Sequence, residues 1–541
     1  MPPGFWRTIR SWSARPLFIS LVVFTALAVI HTWPLASDLS RFSRVDNGDY
    51  QLNAWAVDWV VWKLPRQPAH LFDANIFHPE RQTLAYSEPL ILPALLVAPL
   101  VWAGAPPIVV MNVAMLAGLI LSAWAIGWYC RSVTGSTWAG LVGGSLAIFN
   151  AHTFVRLAHL QALHLELVPL VFVGVHAIAT RGRVRDAVWT GLAVAAQVLT
   201  SLYLLIFVAW GLVCAAAVRL ADTSARLRTS LLTALSIATA AAAAWPVLQP
   251  YAELSRKLGL RRSAAEAIGF TATWRDYLYT GARVHYDLWS HHFAAADALF
   301  PGVVALMLVV TALVVRPGDR RIVRMWVAVL AGSVALSLLP NVPGFETLHG
   351  WLTPLQAIRA YGRSGQMALV AVAVLASFGV AAMAIRWPRH QAVIGLAVLA
   401  LINLEALRAP MRWAEFKGVD PVYRTLATAP GAVAEMPMFS PRDIFGNARY
   451  MVNATSHHRP LINGYSGFMP PSYGPNYEEL RSFPDLQALQ RLHALGVTHV
   501  VVHGDWYPPE RVAEIERSPG LGIVARSGSI AIFRVLSMGA H

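Results

Sequence analysis

The sequence predicts an α-helical polytopic membrane protein with a small α/β domain at its C-terminal end. Of the 541 residues, 56% are hydrophobic and only 13% are charged, whereas soluble domains carry roughly 25% charged residues. Apolar runs of about 18 residues or more, each long enough to cross a bilayer as a helix, recur over most of the chain. After about residue 409 these runs stop, and the spacing of apolar residues becomes typical of short strands and amphipathic helices.

Apolar length predicts eleven transmembrane helices. The first follows Arg7, Arg10 and Arg15, and we interpret it as an uncleaved span because it is about twenty residues long and many further spans follow. A shorter, proline-containing run at 89–102 is expected to re-enter the membrane or to lie at its interface. The predicted spans lie near 17–36, 107–129, 138–150, 163–180, 186–201, 203–219, 229–247, 299–315, 322–340, 365–385 and 391–408.

The distribution of arginine predicts the orientation. With eleven spans, the arginine-bearing connections and the N-terminus all fall on one side, which the positive-inside rule makes cytoplasmic. The segments 37–106, 248–298 and 409–541 are then extracytoplasmic, and we expect a multi-pass protein of the plasma (inner) membrane. If 89–102 spanned instead, the arginine pattern would invert partway. The arginines concerned are Arg131, Arg181, Arg183, Arg185, Arg219, Arg226, Arg228, Arg316, Arg320, Arg321, Arg324, Arg386 and Arg389.

Two domains are predicted. Residues 1–408 form a transmembrane module, whose outer loops are 37–106 and 248–298, and residues 409–541 form a soluble extracytoplasmic α/β domain. In that domain Gly496 follows a leucine-rich turn and is expected to be a helix C-cap. Strands are predicted at 432–436, 498–503, 521–526 and 529–535, and helices at 485–495 and 511–517.

Charge and cysteine content exclude several classes of function. The formal net charge is +14, but the arginines occupy short loops between apolar runs, and no basic stripe interleaved with aromatic residues is present. Nucleic acid is therefore not an expected partner. The two cysteines, Cys130 and Cys214, provide neither a disulfide framework nor a thiolate metal site.

Two carboxylates, Asp46 and Asp49, lie just after the first predicted span. They are either solvated loop residues or a functional pair. A carboxylate near the membrane interface, next to a helix end and aromatic residues, is well placed to have a tuned pKa. Such a group can take a proton from an attacking hydroxyl while that hydroxyl displaces a phosphate leaving group.

With this acidic loop, most of the chain resembles a known family. It is similar to the bacterial multi-pass proteins related to the GT-C glycosyltransferases, which include enzymes like the dolichyl-phosphate-mannose-protein mannosyltransferases. The resemblance implies a membrane enzyme that transfers a sugar from a polyprenyl-phosphate donor to an acceptor on the extracytoplasmic face. It also implies that an acidic residue of the first outer loop is the catalytic base, which maps onto Asp49, with Asp46 second. The segments that carry the resemblance are 45–55, 71–79, 84–89, 158–161, 199–203 and 459–467.

A polyprenyl-phosphate donor needs a cation where its phosphate meets the interface, because charge builds up on the leaving oxygen. Arg359 and Arg363, in the predicted outer loop before the 365–385 span, are candidates for this role. The alternative is that they are arginines that snorkel at a helix start.

Further polar residues are candidates for substrate binding. His159 and Gln161 form, with His152 and Arg156, either a polar rim of a substrate cavity or a set of structural side chains. The two histidines are too far apart for a zinc pair at i and i+4. Glu88 is either a favourable charge at a helix N-terminus or a second acidic group facing the cavity. The 463–467 segment is either a turn or a sugar-binding loop.

The sequence thus favours an inverting membrane glycosyltransferase, whose other partners are the bilayer and an envelope glycan, lipid or protein acceptor. One alternative is a transporter or flippase of lipid-linked sugars, which would require ionisable groups near helix centres. The spans hold mainly His176, Gln197 and Glu405. Another is a non-catalytic assembly protein, for which Asp49 would be dispensable. No cofactor and no metal are expected.

Overall fold

The computed structural model describes residues 14–259, 261–293, 295, 297–315 and 318–536. Arg7, Arg10 and Arg316, which enter the prediction of orientation, lie outside these residues. The chain divides into two compact units. We call Met1–Ser37 with Met115–Arg412 the helical unit, and Asp38–Ala114 with Trp413–His541 the mixed unit.

A helix is present at each of the eleven predicted spans. Five helical segments are long and apolar enough to cross a membrane, namely Pro107–Thr134, Leu202–Ala221, Arg226–Leu258, Arg320–Asn341 and Tyr361–Arg386. The prediction of a polytopic helical membrane protein is confirmed. The helices at the other predicted spans are Ala14–His31, Thr137–Ile148, Val168–Arg181, Val184–Val198, Val303–Val315 and Gln391–Ala406.

The largest difference between a predicted and an observed helix end occurs in the 229–247 span. The span predicted at 229–247 continues to Leu258, and Pro246 and Pro250 lie inside the helix. It ends where Gly259 adopts the left-handed conformation with φ of 60°, which glycine tolerates without steric cost. Arg256 and Lys257 in the last turn face the negative end of the helix dipole, which favours cations there.

The Gly365–Arg386 helix lies at the centre of the helical unit. Its residues from Gly365 to Ala382 are all buried, as expected for a helix that is apolar on every side and surrounded by others. It packs against the Thr137–Ile148, Val303–Val315 and Arg320–Leu338 helices. At Gly379 a Cβ would lie 2.2 Å from the backbone oxygen of Leu308, so glycine permits the close approach of two helices.

The C-terminal part of the mixed unit contains a four-stranded sheet of Ala432–Met436, Val497–His503, Ile530–Val535 and Leu521–Ser527, in that spatial order. The first two strands are parallel and the other pairings are antiparallel. The predicted strands and the helices Leu486–Ala494 and Pro509–Arg517 are confirmed. Gly496 has φ of 66°, as its predicted role at a helix end requires. The helices Ala448–Ala454 and Tyr473–Leu480 complete this part.

The predicted boundary at 408/409 differs from the packing. Residues 38–114, assigned to the transmembrane module, pack in the mixed unit with the C-terminal residues. Phe42–Ser43 pairs with Ala414–Glu415 as an antiparallel two-stranded sheet, and the Asn75 carbonyl accepts a hydrogen bond of 2.7 Å from Leu461 N. These partners lie far apart in the sequence, so no local sequence pattern could have predicted that they pair.

Two helices of the 38–114 segment matter for the site. Gly48–Lys63 is a 16-residue helix, and Ile91–Trp102 has 12 residues. At 1.5 Å per residue the second is about 18 Å long, shorter than the ~30 Å of a bilayer core. The Thr137–Ile148 helix at a predicted span also has 12 residues, and the expectation that 89–102 does not span therefore stays a prediction. The remaining helices, all short, are Ala151–Val155, Ala264–Gly269, Arg283–Leu288 and Phe345–Trp351.

Candidate functional site

Asp49 lies in the first turn of the Gly48–Lys63 helix. Asn47 is the N-cap, and its side-chain oxygen accepts a hydrogen bond from the Asp49 backbone N at 2.9 Å. The capped N-terminus carries the positive end of the helix dipole, which favours a carboxylate in its ionised form. Asp49 is half-buried, and so keeps part of its surface accessible.

The Asp49 carboxylate has a specific side-chain partner. The Tyr465 hydroxyl donates a hydrogen bond of 2.8 Å to Asp49 Oδ1. A Cβ at Gly48 would lie 3.3 Å from the Tyr465 ring, so the missing side chain lets the ring approach the helix start. The hydrogen bond from the phenol therefore orients one oxygen of the Asp49 carboxylate.

Tyr465 is positioned by an extended segment beside the sheet. Ile462 N donates to the Val433 carbonyl at 3.0 Å. The buried Asn463 side chain accepts from Glu435 N at 2.7 Å and donates to the Glu435 carbonyl at 2.9 Å. At Gly464 a Cβ would meet the Phe77 ring at 2.8 Å. Of the two alternatives for 463–467, a turn is not observed at Asn463 and Gly464, where the Asn463 side chain pairs with the backbone of Glu435 at the sheet edge.

Asp46 and Asp49 do not form a pair. Asp46 is exposed and its carboxylate contacts Arg44 Nε at 3.0 Å, whereas the Asp49 carboxylate contacts Tyr465. Glu88 is half-buried and lies three positions before Ile91, the first residue of the Ile91–Trp102 helix.

The helical unit contains a second polar group, which we call the Asp297 cluster and which consists of His152, Arg156, Asp297 and Arg363. The Arg156 guanidinium donates to Asp297 Oδ1, and His152 Nδ1 lies 3.9 Å from the same oxygen. Burial alone would raise the pKa of Asp297, but Arg156, His152 and Arg363 outweigh it and lower the pKa below its usual value. Asp297 is thus a buried carboxylate that the arginines Arg156 and Arg363 keep in its anionic form.

Arg363 is oriented by residues of the 199–203 and 356–363 segments. Its guanidinium lies 5.1 Å from the centre of the Tyr203 ring, within the range of a cation–π contact. The Tyr203 hydroxyl donates to the Ala360 carbonyl at 3.0 Å and accepts from Ala360 N at 2.6 Å. A Cβ at Gly362 would lie 2.5 Å from Asp297 Oδ2, so glycine lets this loop approach the cluster.

The two candidate phosphate-binding arginines have different surroundings. Arg359 Nε contacts Glu266 Oε1 at 2.9 Å, its guanidinium lies 4.6 Å from the centre of the Phe270 ring, and its side chain is 45% exposed. Arg262 contacts the same carboxylate at 3.2 Å. Arg262 and Arg359 thus share the Glu266 carboxylate, whereas Arg363 acts on Asp297.

The Asp297 cluster retains unused hydrogen-bonding capacity. His152 Nδ1 and Arg156 Nε are buried and have no hydrogen-bond partner among the residues that the structure describes. Burial lowers the pKa of His152 to about 4, so its imidazole is neutral at physiological pH. Asp276 Oδ1 also accepts a hydrogen bond of 2.6 Å from the Asp297 backbone N, so two carboxylates accompany the two arginines.

His159 and Gln161 lie near this cluster in the chain. Both are half-buried, and the charge of His159 contributes to the low pKa of His152. Gln161 Oε1 is buried without a hydrogen-bond partner in the described part of the chain. Their role as a polar rim stays a prediction. Within the described ranges, no three His, Cys, Asp or Glu side chains are grouped as metal ligands would be.

Two residues of these sites were not predicted from the sequence. Asp297 is a single acidic residue at the end of a long predicted loop, and no motif surrounds it. Tyr465 belongs to the 459–467 segment that carries the family resemblance, but nothing local connects it with a carboxylate 416 positions earlier. The Gly-Tyr-Ser-Gly run around Tyr465 is the sequence feature that could have indicated a functional residue there.

Comparison with known proteins gives structural similarities only. No family model matches the chain, and no curated protein matches it. Among solved structures, the chain is similar to the Archaeoglobus fulgidus oligosaccharyltransferase in its apo form, with 11% identity and a TM-score of 0.45, covering 91% of this chain and 69% of that one. It is also similar to ArnT from Cupriavidus metallidurans in the apo state, with 14% identity and a TM-score of 0.40, covering 95% and 97%.

Proposed function

We propose that the chain is a membrane glycosyltransferase of the GT-C type, which transfers a sugar from a polyprenyl-phosphate donor to an acceptor on the extracytoplasmic face. The observation that carries this proposal is the environment of Asp49. A half-buried carboxylate lies at a capped helix N-terminus and is oriented by the Tyr465 hydroxyl at 2.8 Å. An oriented carboxylate with an accessible face is what a general base requires.

In the proposed reaction, Asp49 takes the proton of an acceptor hydroxyl. The hydroxyl oxygen forms a bond with the anomeric carbon of the donor sugar, while the bond from that carbon to the phosphate oxygen breaks. Polyprenyl phosphate leaves with the electron pair, and a single displacement inverts the anomeric configuration. Tyr465 is a positioning residue in this scheme, because its hydroxyl orients the carboxylate of Asp49.

We propose Arg363 as the residue that binds the donor phosphate. Its cation neutralises charge that develops on the leaving oxygen, and the planar guanidinium can donate two hydrogen bonds to a phosphate. Arg359 is the weaker candidate because its guanidinium already forms an ion pair with Glu266. Glu88, His159 and Gln161 are proposed as accessory substrate contacts, and Asp46 is the second candidate for the base.

Activity of the purified full chain tests this proposal. The protein is incubated with a panel of polyprenyl-phosphate sugars and scored for release of polyprenyl phosphate, in parallel with Asp49→Asn and Asp46→Asn. Loss of a general base is expected to lower turnover by about a hundredfold or more, whereas removal of the exposed Asp46 carboxylate costs much less. Equal turnover of the native chain and Asp49→Asn would exclude the proposed base.

Membrane topology provides an independent test. In a chain that lacks Cys130 and Cys214, single cysteines are introduced at the exposed Asp46 and, as a control for the opposite side, at Arg183, and both are labelled with a membrane-impermeant reagent in intact cells. The proposal requires that the site next to Asp49 is labelled from outside and that residue 183 is protected. Labelling with the opposite pattern would place Asp49 in the cytoplasm and rule the function out.

A further inference from the structure

A groove in the helical unit lies between the Leu202–Ala221, Val303–Val315 and Arg320–Leu338 helices. Its volume is about 930 Å³, at the upper end of the ~300–1,000 Å³ found for small-molecule sites. Its polar residues are Asp222, Arg320 and Arg324. The remaining wall is apolar and consists of Val218, Leu313, Val323, Val327, Ala328 and Ala331 among others.

The polar and apolar residues of this groove are separated along the Arg320–Leu338 helix. Lining positions recur at intervals of three and four residues from Arg320 to Ala331, which places them on one helix face. The two arginines lie in the first two turns, and valine and alanine follow for about 11 Å beyond Arg324 at 1.5 Å per residue. This face of the helix thus carries two arginines at its N-terminal end. The apolar side chains that follow, from Val327 to Ala331, we call the apolar track.

The cationic end has an excess of positive charge. Asp222 is 9% exposed and contacts Arg324 at 2.7 Å and the buried Arg219 at 3.4 Å. One carboxylate is therefore shared between two guanidinium groups. Arg320 is exposed and has no ion pair among the described residues. An anion at this end would be bound by Arg320 together with Arg324, whose side chain is 61% exposed.

We propose that this groove is a binding site for an anionic glycerophospholipid of the bilayer, distinct from the proposed glycosyl-transfer chemistry. The lipid phosphate lies between Arg320 and Arg324, and one acyl chain lies along the track that ends at Ala331. Basic pockets between transmembrane helices on the cytoplasmic side are suited to anionic head groups, and this end belongs to the arginine-rich side that the sequence predicts to be cytoplasmic. Charge complementarity excludes a zwitterionic lipid as the preferred occupant.

Lipid binding to the purified full chain in detergent tests the site. Native mass spectrometry and thermal unfolding are compared with palmitoyl-oleoyl phosphatidylglycerol and with the phosphatidylcholine of the same acyl chains. The native chain is expected to bind phosphatidylglycerol more tightly and to unfold at a higher temperature in its presence. Equal affinity for the two lipids would overturn the proposal.

Two variants separate the head-group contact from the acyl contact. Arg320→Gln with Arg324→Gln is expected to weaken phosphatidylglycerol binding about tenfold or more, because charge-assisted contacts are lost. Ala331→Phe fills the exposed end of the track without changing charge and is expected to weaken binding of the same lipid. Since it alters no ion pair, Ala331→Phe keeps the test decisive if the double arginine variant fails to fold.

A matched control is Arg183→Gln with Arg185→Gln, which removes two exposed arginines of a different loop on the same predicted side. It is expected to keep the phosphatidylglycerol affinity of the native chain. An equal loss in the control would show general electrostatic attraction and overturn a specific site. Displacement of phosphatidylglycerol by polyprenyl phosphate at a lower concentration would also overturn it, in favour of a site for the lipid-linked donor.

Discussion

The Tyr465 hydroxyl donates a hydrogen bond of 2.8 Å to Asp49 Oδ1, across 416 positions of sequence. This contact joins the N-terminus of the Gly48–Lys63 helix to the extended segment beside the sheet of the mixed unit. A phenol that donates to one carboxylate oxygen fixes the plane of the carboxylate. The orientation of the proposed base is therefore set by a residue of the C-terminal part.

The first prediction concerns this hydrogen bond. Tyr465→Phe removes the donor while the ring remains, and we expect turnover to fall about tenfold, which corresponds to ~1.4 kcal/mol. The fall should appear in kcat rather than in the KM for the donor, because positioning of the base is affected. Steady-state kinetics measure the two parameters. Tyr477→Phe, another half-buried tyrosine of the mixed unit, is the control, and an equal fall in both variants would contradict a positioning role.

The second prediction compares the two arginines. Arg363→Gln should lower kcat/KM for the polyprenyl-phosphate donor about tenfold to a hundredfold, since hydrogen bonds to charged groups contribute roughly 1.5–3 kcal/mol. Arg359→Gln should change it less than about threefold, because this exposed side chain already pairs with Glu266 and exposed pairs contribute little. Initial rates over a range of donor concentrations measure both. The reverse order would assign the phosphate contact to Arg359.

The third prediction concerns packing beside the proposed base. Gly464→Ala places a Cβ at 2.8 Å from the Phe77 ring, and Phe77 is buried. We expect destabilisation of about 1–3 kcal/mol, the usual cost of overpacking, and a lower unfolding temperature of the mixed unit. Gly474→Ala is the matched control, because nothing lies within 4 Å of its added Cβ. Unchanged stability of Gly464→Ala would show that this contact is not close in solution.

The fourth prediction concerns pH. Burial first, and then His458 and Arg459, lower the pKa of His457 from 6.5 to about 3. The unfolded chain therefore binds more protons than the folded chain between pH 3 and 6.5. Consequently, the free energy of unfolding of this region decreases as pH falls through that window, by up to about 1.4 kcal/mol per pH unit from this group.

Hydrogen-exchange mass spectrometry of peptides covering 448–463 measures this effect, after correction for the intrinsic pH dependence of exchange. His457→Gln should reduce the loss of protection at acidic pH, because the residue no longer titrates. Identical pH profiles for the native chain and His457→Gln would show that His457 is not buried as a neutral base. Exchange in the Leu521–Ser527 strand serves as the internal reference.

Much of the fold could be predicted from local patterns. Each predicted span contains a helix, and the four C-terminal strands lie where alternation and turn residues placed them. Helix ends were less predictable, because the Arg226–Leu258 helix continues through Pro246 and Pro250. A proline weakens a helix by removing one hydrogen bond, but a long apolar helix has many others to maintain it.

The candidate sites were only partly predictable. Asp49 was found from its position after the first span, and Arg363 from its position on the predicted outer side. Asp297 was missed because it is a single carboxylate without a motif, and its significance comes only from Arg156 and His152 around it. The different surroundings of Arg359 and Arg363 could not be predicted from the sequence, because both residues precede the same helix. The ion pair between Arg359 and Glu266 is known only from the structure.

The sequence alone determined the membrane class, the helices and the strands of the C-terminal sheet, because hydrophobic length and periodicity act between neighbours in the chain. The tertiary structure decided that residues 38–114 pack with the C-terminal part, that Tyr465 meets Asp49 and that Asp297 collects cationic side chains. These contacts join residues between about 60 and 420 positions apart. Chain folding brings such residues together, and no local propensity encodes their separation in space.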